Sequence, residues 1–155
     1  MPKINPKYLT ASVKQTRKLG RDFAMEIIKK PPLKRPIIIG LSGDLGSGKT
    51  AFLQGFARGL GVKERVLSPT FLIMKRFPLT KGNLDSFYHI DCYRVKSSKE
   101  LEFLGFKDTA KNPKNIIAIE WADRLKSSVS FSIIVNFKFI GKKEREISFC
   151  RKREK

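Results

Sequence analysis

Gly43-Asp44-Leu45-Gly46-Ser47-Gly48-Lys49-Thr50 is the stretch that decides how this chain folds. It satisfies the pattern G-x-x-x-x-G-K-[ST], which is typical of loops that hold the phosphates of a nucleotide. The apolar run of residues 36–42 before it predicts a buried strand, and residues 50–60 after it show helical spacing of apolar side chains. Strand, glycine-rich loop and helix form the context that this motif requires, so we interpret it as a phosphate-binding loop.

The residue types in this loop suit a triphosphate with its metal ion. Gly46 and Gly48 let backbone N–H groups approach the phosphates, and the next helix turns the positive end of its dipole toward them. The Lys49 ammonium can reach the β- and γ-phosphates, and the Thr50 hydroxyl can bind Mg²⁺. The nucleotide-binding residues predicted in this segment are Asp44, Leu45, Gly46, Ser47, Gly48, Lys49, Thr50 and Ala51.

Length and composition predict one globular domain over residues 1–155, with a basic tail at about 151–155. Hydrophobic residues make up 41% of the chain, which argues against a disordered protein. No apolar run approaches the length of a membrane span, and no apolar signal core follows the basic residues 1–7, so we expect no membrane association and a cytoplasmic location. Two cysteines far apart and a single histidine argue against a zinc site.

The net charge of the chain is unusually positive. Lys and Arg number 33 against 14 Asp and Glu, which gives +19. Such a field attracts RNA or another polyanion. The alternative is a lysine-rich composition spread over a solvated surface, because the basic residues are scattered and no aromatic-rich RNA-reading signature accompanies them. Both interpretations stay open at this point.

The rest of the chain alternates helical and strand patterns. Residues 1–9 resemble a loose start, and Thr10 or Ser12 is expected to cap a helix that runs to about Lys30. Strands are predicted at 71–74, 86–91 and 115–121, a helix start at 97–100, and a final hairpin at 129–139 and 145–150. This order predicts an α/β layered fold with a mixed sheet and a nucleotide at the carboxyl ends of its parallel strands.

Two acids follow predicted strands and are candidates to serve the metal ion. Glu120 ends the apolar run 116–119, and Asp91 ends the run 87–90. Mg²⁺ on a triphosphate needs a further oxygen ligand near Thr50, often an acid at the end of a neighbouring strand. Glu120 fits this Walker B pattern better, whereas a surface role for Asp91 is about as plausible from its own surroundings. Thr70, after Pro69, is a candidate for sensing the γ-phosphate or its metal.

Three further side chains near these acids allow more than one interpretation. His89 is the only histidine, and we interpret it as a packing residue, because it lacks partners for a metal site. Arg94 either reaches a phosphate or a partner carboxylate, or it is simply solvated. Trp121, the only tryptophan, either covers a base or a loop, or packs in the core.

Four segments together resemble one family, the TsaE (YjeE) ATPases of bacterial tRNA modification. In chain order they are the phosphate loop, Ser68-Pro69-Thr70-Phe71, His89-Ile90-Asp91-Cys92-Tyr93-Arg94 and Ile119-Glu120-Trp121. They are similar to that family's G-D-L-G-[AS]-G-K-T, S-P-T-aromatic, H-x-D-x-Y-R and I/V-E-W elements. The resemblance extends from about Thr16 to the final hairpin, and the four-part set is more specific than the phosphate loop alone.

The resemblance implies a three-layer P-loop NTPase fold, with a mixed, mostly parallel central sheet and a C-terminal antiparallel hairpin. It implies an ATPase that binds and hydrolyses ATP with Mg²⁺ and supports two partners, TsaB and TsaD, which install threonylcarbamoyl on the tRNA adenosine next to the anticodon. By position, Lys49 would hold the phosphates, and Thr50 and Glu120 would serve Mg²⁺. Asp91 would orient water or metal, Thr70 would belong to a nucleotide-sensing loop, and Trp121 would lie beside the site.

Some features depart from the family pattern and keep alternatives open. Leu72 stands where many members carry a small polar residue, and the +19 charge bears on tRNA contact and partner preference. Lys142, near the hairpin turn, is a weak candidate for the adenine side. One alternative function is a small-molecule P-loop kinase, although residues 97–114 lack the arginines typical of a kinase lid. The other is an RNA-binding protein with an auxiliary nucleotide site.

Overall fold

The computed structural model describes residues 5–30, 34–67, 74–95, 97, 99–125 and 129–151. In chain order the strands are β1 Lys7–Thr10, β2 Ile37–Ser42, β3 Met74–Pro78, β4 Ser86–Asp91, β5 Asn115–Glu120, β6 Ile133–Phe139 and β7 Arg145–Arg151. The α-helices are α1 Val13–Lys29, α2 Lys49–Gly59, α3 Lys99–Phe103 and α4 Phe106–Thr109, and a 3₁₀ turn covers Ala122–Arg124. No helix in these ranges is both long enough and apolar enough to span a bilayer.

The strands form one mixed sheet in the order β1-β7-β6-β2-β5-β4-β3. The four central strands, β6, β2, β5 and β4, are parallel to one another. Antiparallel strands close both sides, with β3 next to β4, and with β7 and β1 beyond β6. The predicted mixed sheet with a C-terminal antiparallel hairpin is confirmed, and β2 lies at its centre with the phosphate loop following it.

Helices cover both faces of the sheet. Helices α1 and α2 bury one face around an aromatic core that includes Phe23, Phe52 and Phe56. The other face packs against α3, α4 and the 3₁₀ turn, around residues such as Leu101 and Leu125. Neighbouring residues along β5 alternate between the two cores, as the two-residue period of a strand requires. The predicted three-layer α/β architecture is confirmed.

Glycines let the backbones of α1 and α2 touch. A Cβ added at Gly55 would lie 1.8 Å from the carbonyl oxygen of Arg17, and one added at Gly20 would lie 2.1 Å from that of Phe52. Real atoms cannot approach so closely, so neither position has room for a methyl group. The contact fixes α2 against α1, and α2 carries the end of the phosphate loop.

Gly55→Ala is therefore expected to destabilise the protein, although alanine is the better helix former by about 1 kcal/mol. The new methyl group would meet backbone atoms of Arg17, which cannot move aside as a flexible side chain can, so the two helices would have to separate. Overpacking of this kind costs about 1–3 kcal/mol or more. Urea unfolding monitored by circular dichroism would measure the loss. Gly141→Ala is the matched control, since nothing lies within 4 Å of a Cβ there. Equal midpoints for Gly55→Ala and the unsubstituted chain would contradict this reading of the contact.

The beginning of the chain differs from the sequence-based expectation. Residues 7–9, expected to be part of a loose start, form the edge strand β1 together with Thr10 and pair antiparallel with β7. The rings of Tyr8 and Phe149 meet edge to face at 5.6 Å, and the Thr10 and Thr16 hydroxyls share a hydrogen bond of 2.8 Å. Ser12, rather than Thr10, caps α1, because its side chain accepts from the N–H of Gln15.

Candidate functional site

The phosphate loop joins the end of β2 to the start of α2. Ser42 ends the strand, Lys49 begins the helix, and Gly48 before it has a left-handed backbone with φ 109°. Gly46 is also left-handed, with φ 78°. Residues other than glycine rarely adopt this backbone conformation, so these glycines are needed to bend the chain into the N-terminus of α2. A helix N-terminus preceded by such a loop is a site for anions.

The Lys49 side chain is held across this loop. The residue is 5% exposed, and its Nζ donates hydrogen bonds to the carbonyl oxygens of Gly43 and, at 2.9 Å, of Asp44. The same ammonium lies 4.1 Å from the centroid of the Trp121 ring, within cation–π range. Burial lowers the pKa of Lys49, while the nearby Glu120 carboxylate acts in the opposite direction. The cation is thus fixed at the loop, where a phosphate would meet it.

Ser47 supplies a test of whether the loop fits a phosphate. Its Oγ is buried and has no hydrogen-bond partner among the residues that the structure describes. A buried hydroxyl without a partner costs about 1–3 kcal/mol, so such atoms need an explanation. Phosphate oxygens accept hydrogen bonds, and one bound in this loop would satisfy the hydroxyl. The loop therefore fits the phosphates of a nucleotide.

The sheet brings the two candidate acids together beside the loop. Asp91 and Glu120 are paired residues at the ends of the parallel strands β4 and β5. Glu120 also pairs with Leu41 of β2, two residues before Gly43. The Thr50 hydroxyl donates to Oε1 of Glu120 at 3.4 Å. Thr50, Glu120 and Asp91 thus meet at the carboxyl edge of the parallel strands.

The two acids have different surroundings. Glu120 is 2% exposed, whereas Asp91 is only partly buried. Oδ1 of Asp91 accepts a hydrogen bond of 2.9 Å from the backbone N–H of Tyr93. Burial raises the pKa of the Asp91 carboxyl, and this hydrogen bond opposes the shift. Glu120 is therefore held inside the fold, and Asp91 lies at its boundary with solvent.

His89 contacts Glu120, a contact that the sequence interpretation missed. Its Nε2 lies 2.9 Å from Oε2 of Glu120, and both side chains are almost fully buried. The sequence interpretation of His89 as a packing residue agrees with its burial but does not include this polar contact. The available signal was its position two residues before Asp91, which puts both side chains on the same face of β4.

Trp121 lies directly after Glu120 in an unusual backbone conformation. Its φ of 59° and ψ of 43° are left-handed, which costs a residue with a Cβ about 1–2 kcal/mol. The conformation places its ring on the Lys49 ammonium, and the ring of Tyr93 lies 5.1 Å away on the same side. Backbone strain of this kind is common at functional sites.

The tip of the C-terminal hairpin also reaches the loop. Arg145 donates a hydrogen bond of 3.4 Å to the carbonyl oxygen of Gly46, and its guanidinium lies 4.1 Å from the centroid of the Phe139 ring. The sequence interpretation considered only Lys142 here, and Lys142 is exposed. Local patterns give no signal for this contact, because Arg145 and Gly46 are 99 residues apart in the chain.

The remaining predicted residues lie around this cluster or outside the described ranges. Asp44 and Leu45 are exposed at the outer side of the loop, and Ala51 is partly buried in the first turn of α2. Arg94 is exposed after β4. Thr70 and the Ser68-Pro69-Thr70-Phe71 element lie outside the described residues, as does Leu72.

The donor set near Thr50 decides which metal ion would fit. Within the described ranges, no group of three or more His, Cys, Asp or Glu side chains could hold a metal ion by itself. One hydroxyl and one carboxylate, Thr50 and Glu120, suit Mg²⁺, because Mg²⁺ usually binds one or two protein oxygens together with phosphate oxygens and water. These residues therefore fit a magnesium ion that arrives with a nucleotide.

Comparison with known proteins points to one family. The profile of "Threonylcarbamoyl adenosine biosynthesis protein TsaE" matches residues 10–148. The protein named "tRNA threonylcarbamoyladenosine biosynthesis protein TsaE" is 36% identical in Haemophilus influenzae, over 69% of this chain and 65% of the relative. The Rickettsia prowazekii protein of that name is 34% identical, over 86% and 87%. The Bacillus subtilis protein of that name is 37% identical, over 72% and 68%.

A solved structure is similar over most of the fold. The crystal structure of YdiB from Bacillus subtilis superposes with a TM-score of 0.68 at 28% identity and covers 94% of this chain and 84% of that one. This chain spans just under two thirds of the length of the Haemophilus relative and most of the Rickettsia one. The predicted P-loop fold is confirmed by this likeness together with the family profile.

Proposed function

Because the chain belongs to the TsaE family, we propose that it is a Mg²⁺-dependent ATPase that takes part in making threonylcarbamoyladenosine in tRNA. Its loop at residues 43–50 binds ATP, and its hydrolysis cycle supports TsaB- and TsaD-like partners. The observation that carries the proposal is the meeting of Lys49, Thr50, Glu120 and Asp91 at one edge of the parallel strands.

The phosphates of ATP are held by the loop. Lys49 places its ammonium against the loop carbonyls, and a phosphate oxygen entering the loop exchanges for those acceptors. Ser47 gains the acceptor that its buried hydroxyl needs. Phosphoryl transfer depends mainly on positioning and on neutralising charge, and these groups supply both.

Glu120 and Asp91 have different roles in this proposal. A bound Mg²⁺ would supply neutralisation of the charge that develops on the phosphates during transfer. Thr50 and Glu120 are the residues that would hold it, because the side chains already meet at 3.4 Å. Asp91 orients the attacking water, since it is closer to solvent than Glu120 and its carboxylate is steadied by the N–H of Tyr93.

The partners complete the site. Arg124 lies over the rings of Tyr93 and Trp121, and Arg94 is exposed, so within the described ranges neither is held at the loop. A cation supplied by a partner protein would add to the positive charge that Lys49 already brings to the phosphates. The +19 charge favours tRNA as a further, electrostatic partner, and we place this work in the cytoplasm, where tRNA is modified.

ATP turnover with and without TsaB- and TsaD-like proteins tests the proposal. Turnover should be slow for the chain alone and rise by at least about tenfold in the mixture, a modest part of what a supplied cation contributes. A mixture containing the Lys49→Ala chain is the control, because it measures ATP use by the partners themselves. Equal turnover with and without partners would argue against the regulation, and no Mg²⁺-dependent turnover in either case would argue against the ATPase.

A further inference from the structure

We propose that His89 is a positioning residue that holds the Glu120 carboxylate in the orientation in which it serves Mg²⁺. This inference rests on the proposed function and goes beyond it, because His89 reaches neither phosphate nor metal in that scheme. It acts through Glu120 alone. The contact that carries the inference is the 2.9 Å approach of His89 Nε2 to Glu120 Oε2.

The two oxygens of the Glu120 carboxylate have separate partners. Oε2 lies against His89, and Oε1 accepts from the Thr50 hydroxyl at 3.4 Å. Two contacts at opposite oxygens fix both the position and the rotation of the carboxylate. Without His89, the group would turn about its last bond, and Oε1 would no longer be aimed at Thr50.

The direction of the hydrogen bond follows from the role of Glu120. A carboxylate that binds a cation is ionised and can only accept hydrogen bonds. His89 Nε2 must therefore carry a hydrogen and act as the donor of this hydrogen bond. Groups that orient a metal ligand in this way commonly affect metal affinity by 10–100-fold.

The register of β4 against β5 brings His89 close to Glu120. His89 pairs with Ala118, and two residues further on Asp91 pairs with Glu120. All four side chains lie on the same face of the sheet, since paired residues of parallel strands share a face and the period is two. Ala118 is small, so the imidazole has room to lean toward Glu120.

Folding alone does not explain a polar pair at this place. His89 is 1% exposed and Glu120 is 2% exposed, and their neighbours Phe87, Ile116 and Ala118 belong to the apolar core. Replacing both partners of a buried hydrogen bond by apolar groups of the same shape can be nearly neutral or even stabilising. The pair also points one carboxylate oxygen at Thr50, so the site it serves explains it better.

Two substitutions test whether the donor at Nε2 matters. In His89→Gln the side-chain amide can place an N–H near the position of Nε2, whereas the shorter amide of His89→Asn cannot reach it. ATP affinity is measured by titration calorimetry as a function of Mg²⁺ concentration, and again with EDTA. His89→Asn should raise the Mg²⁺ concentration for half-maximal effect by about tenfold. His89→Gln should stay within about threefold of the unsubstituted chain, and metal-free ATP affinity should hardly change in either.

A structural role would give a different pattern. Ser86→Ala, at another buried polar position of β4, is the control for a general loss of stability. If His89→Asn and His89→Gln weaken ATP binding equally with and without Mg²⁺, or if neither shifts the Mg²⁺ dependence, the inference is overturned while the ATPase proposal stands. If the unsubstituted chain itself shows no Mg²⁺-dependent ATP binding, the proposed function fails and this inference fails with it.

Discussion

Replacing Lys49 by alanine is expected to weaken ATP binding by at least about 100-fold. Each hydrogen bond to a charged group contributes about 1.5–3 kcal/mol, and the ammonium has three donors for phosphate oxygens. The loss of two such contacts amounts to roughly 3–6 kcal/mol, and each 1.4 kcal/mol is a factor of ten in affinity. In the folded chain this cation contacts two loop carbonyl oxygens and the Trp121 ring, so its position is fixed.

Titration calorimetry with ATP and Mg²⁺ measures this loss. Lys107→Ala is the matched control, because it removes the same charge and side chain from an exposed position on α4. The control should bind ATP as the unsubstituted chain does. Urea unfolding of the Lys49→Ala chain, monitored by circular dichroism, checks that the variant is still folded. A folded Lys49→Ala protein that keeps ATP affinity within about threefold would contradict the assignment of the loop and with it the whole proposed function.

The parts of the candidate site that the sequence predicts are those whose residues lie close together in the chain. The loop at 43–50 is one continuous segment, and its strand and helix lie directly beside it, so the glycine spacing and apolar periods were sufficient. Asp91 and Glu120 were predicted because each follows an apolar run that ends at the same edge of a parallel sheet.

Contacts between distant segments were not predictable in the same way. The pairing of His89 with Glu120 depends on the register of β4 against β5, and one residue of slippage would turn His89 to the other face. The contact of Arg145 with Gly46 depends on how the hairpin folds over the loop. The edge strand at 7–10 is four residues long and forms only because β7 is there to pair with it. No local pattern records these partners.

The conformation of Trp121 belongs to the same class of features. Residue propensities do not predict a tryptophan with a left-handed backbone, because residues with a Cβ disfavour that conformation. The surrounding contacts must hold it, and the Lys49 ammonium and the Tyr93 ring are among them. The sequence places the tryptophan directly after a candidate acid, but only the folded chain shows that its ring packs on the Lys49 ammonium.

Glu120→Gln is expected to lower Mg²⁺-dependent ATP hydrolysis by about 1,000-fold while leaving metal-free ATP binding within about threefold. Glutamine keeps the size of the side chain and its contact distance to Thr50, but it lacks the charge that binds the metal ion. A positioned metal ion contributes several kcal/mol of transition-state stabilisation, which corresponds to this loss in rate. Lys49 and the loop, which we propose to hold the phosphates, are unchanged.

The control must distinguish the loss of a metal ligand from the loss of a negative charge near Lys49. Asp123→Asn removes one negative charge that also acts on Lys49, but from an exposed residue of the 3₁₀ turn. If hydrolysis depends on the local field alone, both variants slow by similar factors. If Glu120 is a metal ligand, only Glu120→Gln loses activity, and its ATP affinity no longer responds to added Mg²⁺. Normal hydrolysis by Glu120→Gln would transfer the metal role to Asp91, and the pairing of Glu120 with His89 would then need a purely structural explanation.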